Sequence, residues 1–280
     1  MIAVLGAGVM GTGIATLAIG HGVDVTLVDI DDDKLTAARA AVKQQLRGAK
    51  IMGKMPKSGP VGELVCTTDL SDIASAEAVV EAVTELPDLK AKVLAEVSSL
   101  VAPGTLLLTN TSAIPVDELA SVVERPEDVA GAHFMNPPYV IRMVEVIRGR
   151  RTSEAAMDAV RTLLSSLDRD LIVVGDGPGF VINRVLQRMI NESARIVGEG
   201  LATPQDVDAL FEGCLGHRTG PLATADLIGL DNVADSLRVL HERTGDQGYA
   251  PCDLLLAKVR DGEFGRKTGK GFYEHGEVWA

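Results

Sequence analysis

The stretch MIAVLGAGVMGTGIATLAIGHGVDVTLVD, Met1 to Asp29, decides the fold. Ile2 to Leu5 is a short apolar run closed by glycine, with the length of a buried strand. Gly6-Ala-Gly8-Val-Met-Gly11 follows, then small residues through Ile19 in a helical pattern. A second apolar run, Val25 to Val28, ends at Asp29. Strand, glycine turn, helix, strand and acid, in that order, form a dinucleotide-binding fingerprint in the context it requires. Gly6 permits the tight turn, Gly8 lets the backbone approach a pyrophosphate, and Gly11 lets helix and strand pack closely. N–H groups at the helix start then face the phosphates.

Asp29, 18 residues after Gly11, is placed to accept hydrogen bonds from the adenosine ribose hydroxyls. A 2′-phosphate would meet Asp29 with Asp31, Asp32 and Asp33 close behind, so NAD is expected rather than NADP. Met10 lies inside the same turn and is counted with the cofactor set.

Outward from this unit, apolar β-branched runs recur at Leu64–Thr67, Ala78–Val83, Thr105–Leu108, Val129–Phe134, Met143–Ile147 and Leu171–Val174. Helical patterns at Leu35–Arg47, Asp88–Val101 and Glu154–Leu167 separate many of them. The alternation predicts an α/β domain with a doubly wound, mostly parallel sheet of Rossmann type. Phe134 and Met143 are too close for a helix between them, so that end of the sheet is expected to be mixed. After Val174 the texture changes: Gly175-Asp-Gly-Pro-Gly179 reads as a linker, and helical patterns follow at Phe180–Glu199, after Thr203-Pro204, and at Asn232–Arg243. The expected organisation is a nucleotide-binding domain over residues 1–177 and an all-α domain over residues 178–280.

Composition narrows the class. The 280 residues are 46% hydrophobic and carry a net charge of −12, which argues against nucleic-acid or anionic-membrane binding. No apolar run approaches the roughly 20 residues of a membrane span. A strand and turn at the very start leave no room for a signal or transit peptide, so a cytoplasmic location is expected. Cys66, Cys214 and Cys252 are few and far apart, which suggests free, packed thiols and no metal site. One region reverses the acidic trend: Lys43, Arg47, Lys50, Lys54 and Lys57 fall in a 15-residue span without an acid. It reads either as a solvated helix face or as a patch that meets coenzyme phosphates or an acidic carrier protein.

A set of further motifs carries a resemblance. GAGVMGTGIA, VVEAVTE at 79–85, NTSAIP at 110–115, HFMNP at 133–137, MVEVI at 143–147, GPGFVINR at 177–184, GPLATADLIGLD at 220–231 and GRKTGKGFY at 265–273 resemble the 3-hydroxyacyl-CoA dehydrogenase family nearly end to end. That resemblance implies a site. His133 matches the catalytic base, and Glu145 matches the carboxylate that orients it. Ser112 and Asn183 match groups that hydrogen-bond the substrate oxygen, which implies a site in the cleft between the two domains. Glu85, Lys90, Asn110 and Asn136 match positions near the nicotinamide ribose or reaction centre. A homodimer through the C-terminal domain is implied as well. Each polar residue alone has a plainer reading: a satisfied core histidine, an ion-paired glutamate, a capping serine or asparagine.

The chain departs from the family pattern at three places. Met135, Pro138-Tyr139 and Arg142 replace residues expected to line the thioester side. His217-Arg218-Thr219 adds polarity near the acyl end, and the arm RGAKIMGKMPKSGPVG is interrupted by glycine and proline. These departures resemble relatives that oxidise a glyceryl group on an acyl carrier protein, in the making of hydroxymalonyl and methoxymalonyl polyketide extender units. Two substrate readings therefore stay open, a short acyl-CoA and a carrier-protein thioester. A non-catalytic NAD-binding protein on the same scaffold is a further alternative. So is a β-hydroxyacid dehydrogenase acting on free acids, although its usual lysine is replaced here by Asn183-Arg184.

Overall fold

Short runs of aliphatic residues become strands here because a sheet covered by helices on both faces must be apolar on both faces. In the computed structural model, which describes residues 1–276, β1 (Ile2–Leu5), β2 (Val25–Val28), β4 (Ala78–Glu81) and β5 (Leu106–Thr109) are buried at every position. β3 (Leu64–Thr67) lies at one edge and β8 (Asp170–Gly175) at the other, both partly exposed. Between them run β6 (Val129–Phe134) and β7 (Met143–Arg148), and the order across the sheet is β3-β2-β1-β4-β5-β6-β7-β8. All pairings are parallel except β6 with β7, which are antiparallel. The expected mixed end is therefore at the strands that carry His133 and Glu145.

Helices cover both faces. α1 (Val9–Gly20), α2 (Asp32–Ile51) and α5 (Glu154–Ser166) pack on one side around Ile14, Leu17, Leu35, Met157 and Leu164. α3 (Pro87–Leu100) and the single turn α4 (Val116–Leu119) pack on the other around Leu94, Val97 and Leu119. α1 is buried from Gly11 to Gly20, which only its run of glycine, alanine and threonine among the aliphatics allows.

The chain forms one compact unit from Met1 to Phe180 and a second from Val181 onward. The second is helical: α6 (Ile182–Gly198), α7 (Pro204–Leu215), α8 (Pro221–Ile228), α9 (Leu230–Thr244) and α10 (Asp253–Arg260) surround Ile190, Leu222, Leu237 and Leu255. Thr203 and Asp206 form a reciprocal capping box that starts α7, ahead of Pro204 at its first position.

Two expectations need correction. The arm is interrupted by glycine and proline as expected, but later than the helical pattern to Arg47 suggests: α2 continues through RGAKI to Ile51 with Gly48 inside it, and the chain is irregular from there to β3. A single helical glycine costs only about 1 kcal/mol against alanine, and burial of Val42 and Ala49 on the core side outweighs that. The three cysteines are not alike either. Cys252 is buried, Cys66 is half-buried and Cys214 is exposed at the end of α7.

Candidate active site

The glycine turn is built from backbone. Gly6 sits at φ +97°, and a Cβ there would lie 2.7 Å from the Ala82 carbonyl oxygen. Gly11 is tighter, since a Cβ would fall 1.8 Å from the Gly6 carbonyl oxygen. Gly8, the N-cap of α1, is the contrast: nothing lies within 4 Å of the place its Cβ would take. The chain has thus kept a side-chain-free opening directly before a helix N-terminus, which fits a pyrophosphate lying against backbone. Asp29 leaves β2 beside this turn. Its Oδ2 accepts from Ala7 N at 2.8 Å and its Oδ1 from Asp31 N at 3.1 Å, so the carboxylate is held before any ribose is present. Met10 is half-buried and packs on the core under α1.

The second group of polar residues lies at the ends of β4 to β7. His133 and Glu145 face each other in the antiparallel register of β6 and β7. Both are 6% exposed, and His133 Nδ1 lies 2.9 Å from Glu145 Oε2. An ionised glutamate only accepts, so Nδ1 carries the proton and Nε2 is left as the basic nitrogen. Phe180 covers the ring, with centroids 6.0 Å apart and planes tilted by 60°.

Beside this pair runs the loop that follows β5, residues Asn110 to Pro115. Asn110 Oδ1 accepts from Phe134 N at 3.0 Å and so ties the end of β5 to the end of β6. Glu85 holds the loop itself. Its Oε1 accepts from Thr111 Oγ1 at 2.6 Å, Ser112 N at 2.7 Å, Ala113 N at 3.1 Å and Ser112 Oγ at 3.2 Å. Burial would raise the Glu85 carboxyl, but the Lys90 ammonium and these hydrogen bonds hold it below the ordinary carboxylate range. Lys90 Nζ lies 3.2 Å from Glu85 Oε2 and 2.7 Å from Glu81 Oε1. Asp176 steadies the far end of the loop, accepting from Val116 N and Asp117 N at 2.9 and 2.7 Å. Asn136 is exposed just beyond β6. Asn183 is on the first turn of α6, in the helical unit.

Glu81, Thr109 and Asp176 were not singled out by the sequence reading. One signal was available for Glu81: it closes an apolar run that becomes a fully buried strand, where a carboxylate must be paired. The family departures also look different in space. Pro138 packs against Gly13 of α1, Tyr139 lies against the core, and Arg142 pairs with Asp168 at 2.5 Å and Asp170 at 3.2 Å. These side chains therefore have structural partners of their own. Arg169, buried, donates to the carbonyls of Pro138 and Ile141 and braces the same loop.

Comparison with known proteins decides the family. The model for the 3-hydroxyacyl-CoA dehydrogenase NAD binding domain matches residues 1–177, and that for the C-terminal domain of the same enzymes matches residues 179–275. The chain belongs to the 3-hydroxyacyl-CoA dehydrogenase family. It is an NAD-dependent oxidoreductase of that family. A probable 3-hydroxybutyryl-CoA dehydrogenase of Bacillus subtilis is 39% identical over 99% of this chain and 97% of its own. A 3-hydroxybutyryl-CoA dehydrogenase of Bradyrhizobium diazoefficiens is 36% identical over 98% of this chain and 94% of its own. Among solved structures, FadB2 of M. tuberculosis superposes with a TM-score of 0.91 at 34% identity, covering 98% of both chains. The (S)-3-hydroxybutyryl-CoA dehydrogenase PaaH1 of Ralstonia eutropha gives a TM-score of 0.90 at 36% identity, covering 99% of both.

Proposed function

We propose that this dehydrogenase oxidises the 3-hydroxyl of a short acyl-CoA, with His133 as the base. The observation that carries the reading is the buried Nδ1–Oε2 contact of 2.9 Å, which leaves His133 Nε2 as the basic nitrogen. Nε2 takes the hydroxyl proton, and Glu145 stabilises the imidazolium that results. The substrate hydroxyl gives its one proton to Nε2, so Ser112 Oγ, 3.2 Å from Glu85 Oε1, serves that oxygen as a donor by turning its O–H from Glu85. Asn183, placed by its motif, is the proposed second hydrogen-bonding group on that oxygen. Gly6, Gly8, Met10, Gly11 and Asp29 would hold NAD, with Glu85, Lys90, Asn110 and Asn136 toward its nicotinamide end. When bound, NAD supplies the acceptor for the two electrons and the hydrogen that leave the carbinol carbon.

A carrier-protein thioester is the second reading, favoured by one feature. Arg39, Lys43, Arg47 and Lys50 follow one face of α2 beside a groove of about 390 Å³ floored by Val42, Leu46 and Leu64. Side-by-side assays of NADH formation with 3-hydroxybutyryl-CoA and a glyceryl-carrier protein test the two. A preference for CoA supports the first reading, and a preference for the carrier overturns it. No turnover with either, with NAD still bound, would point to a non-catalytic protein.

The assembly we propose is a homodimer through the helical unit, supported by exposed Leu201, Leu210, Leu215 and Leu227. Light scattering of the purified protein tests it, and a monomer mass would exclude it. No helix among the described residues is long and apolar enough to cross a membrane. The three free thiols suit a reducing compartment, and we propose the cytoplasm.

A further inference from the structure

Among the described residues, the most deeply buried charge of the nucleotide-binding unit, Glu81, takes no part in the chemistry above. Glu81 is 0% exposed and Lys90 is 1% exposed. Glu81 spends both carboxylate oxygens. Oε1 accepts from Lys90 Nζ at 2.7 Å and from Val83 N at 2.8 Å, while Oε2 accepts from Thr109 Oγ1 at 2.7 Å. Thr109 stands directly opposite Glu81 in the β4–β5 register, and its hydroxyl oxygen accepts from Thr111 N at 3.3 Å.

Two routes therefore run from Glu81 to the Ser112 loop. One passes through Lys90 to Glu85, which takes the amides of Ser112 and Ala113. The other passes through Thr109 to the amide of Thr111. A third contact points the other way. The Ala82–Val83 peptide that Glu81 fixes is the surface against which Gly6 packs, close enough that a Cβ on Gly6 would lie 3.0 Å from Val83 N. The carboxylate thus sits between the glycine turn and the Ser112 loop.

We infer that Glu81 is a positioning residue for the reaction, fixing Lys90 and Thr109 so that Glu85 presents Ser112 to the substrate. The inference rests on the reading of Ser112 as the group that meets the substrate oxygen. The physical argument is a division of one cation between two anions. Lys90 is shared by Glu81 and Glu85, and the shorter contact goes to Glu81. When Glu81 loses its charge, Lys90 has Glu85 as its one anionic partner. The Glu85 carboxylate then turns toward Nζ, away from the Ser112 and Ala113 amides, and the Ser112 hydroxyl moves with them. Lys90 is 1% exposed and the Glu85 side chain 36%, so water weakens this attraction from the Glu85 side but does not reach Nζ to replace it. Misplacement of a substrate-binding group by about 1 Å costs on the order of 100-fold in rate.

The test is a double-mutant cycle of Glu81→Gln with Ser112→Ala, read as kcat for 3-hydroxybutyryl-CoA oxidation and as the dissociation constant for NADH. Glu81→Gln alone is expected to lower kcat by roughly 10- to 100-fold and to leave NADH binding within about threefold. In the Ser112→Ala background the same change is expected to cost almost nothing more, because both act through one hydroxyl. Glu81→Asp, which keeps the charge, should fall less than Glu81→Gln. Equal losses in both backgrounds would reduce Glu81 to a structural group and overturn the inference while leaving the Ser112 reading intact. An unchanged kcat in Ser112→Ala alone would overturn both. Should Glu81→Gln fail to fold, Thr109→Val takes its place in the cycle. It removes the other anchor of the carboxylate and leaves all three charges, and additive losses there count equally against the inference.

Discussion

The glycine turn at residues 6–11 and the strand-end cluster around His133 lie in one domain and solve opposite problems. In the turn, recognition is left to backbone, and what matters is the absence of side chains at Gly6, Gly8 and Gly11. In the cluster, the proposed recognition and chemistry fall to side chains, and each polar group is held by another: His133 by Glu145, Ser112 by Glu85, Lys90 by Glu81. The difference teaches that the two halves fail differently. A turn fails by steric intrusion, which is local and abrupt. A polar network fails by redistribution of charge and hydrogen bonds, which spreads to partners and scales with how dry the site is.

The largest effect that separates the two is expected from His133→Gln. It removes the proposed base and keeps a hydrogen-bonding side chain, so kcat should fall by about 10²- to 10⁴-fold with NADH binding retained in a fluorescence titration. Lost NADH binding in that variant would mean that cluster and turn are not separable. Next come two alanines in the turn itself. Gly11→Ala forces a Cβ against the Gly6 carbonyl, where only backbone can yield, and should cost about 1–3 kcal/mol in a denaturant titration. Gly8→Ala meets open space and should leave stability within about 0.5 kcal/mol, yet weaken NADH binding. Equal losses of stability would break the account of why these glycines are present.

A smaller change is expected at Asp29. Asp29→Ala removes the acceptor beside the turn and should erode the preference for NAD over NADP by roughly tenfold, the worth of one charged hydrogen bond, measured as the ratio of kcat/KM values. An unchanged ratio would place the discrimination elsewhere. The smallest effect belongs to Glu85 and appears only in acid. Its folded-state pKa lies below the ordinary value, so its contribution to stability is present above roughly pH 4.3. The contribution is lost as pH falls through the lower folded-state value. The gap in urea midpoint between the wild type and Glu85→Gln should therefore close as pH drops below about 4. A gap that stayed constant to pH 3 would show that the carboxylate charge does not hold the loop.

Legibility followed the same division. The turn could be read directly because its physics is local: an apolar run, three spaced glycines and an acid at the right distance specify one backbone path. The mixed sheet end was readable from the short gap between Phe134 and Met143, and β6 and β7 are indeed antiparallel. The basic arm was harder. The helical pattern is clear only to Arg47, and the burial of Val42 and Ala49 shows why the helix carries on to Ile51 before the arm is interrupted. Glu85 and Lys90 were reached through family motifs, whereas Glu81, four residues from Glu85 in VVEAVTE, was passed over.

The amino-acid sequence by itself determined the order of strands and helices, the nucleotide-binding turn, the family and the residue types able to carry an alcohol oxidation. Those depend on interactions within about thirty residues or on short motifs. Only the tertiary structure decided which oxygens each buried charge touches. It set Glu145 across from His133 by antiparallel register, and it gave Lys90 two carboxylates rather than one. The reason is physical: pairing of buried charges is fixed by which strands lie side by side, and strand adjacency is a property of the whole sheet.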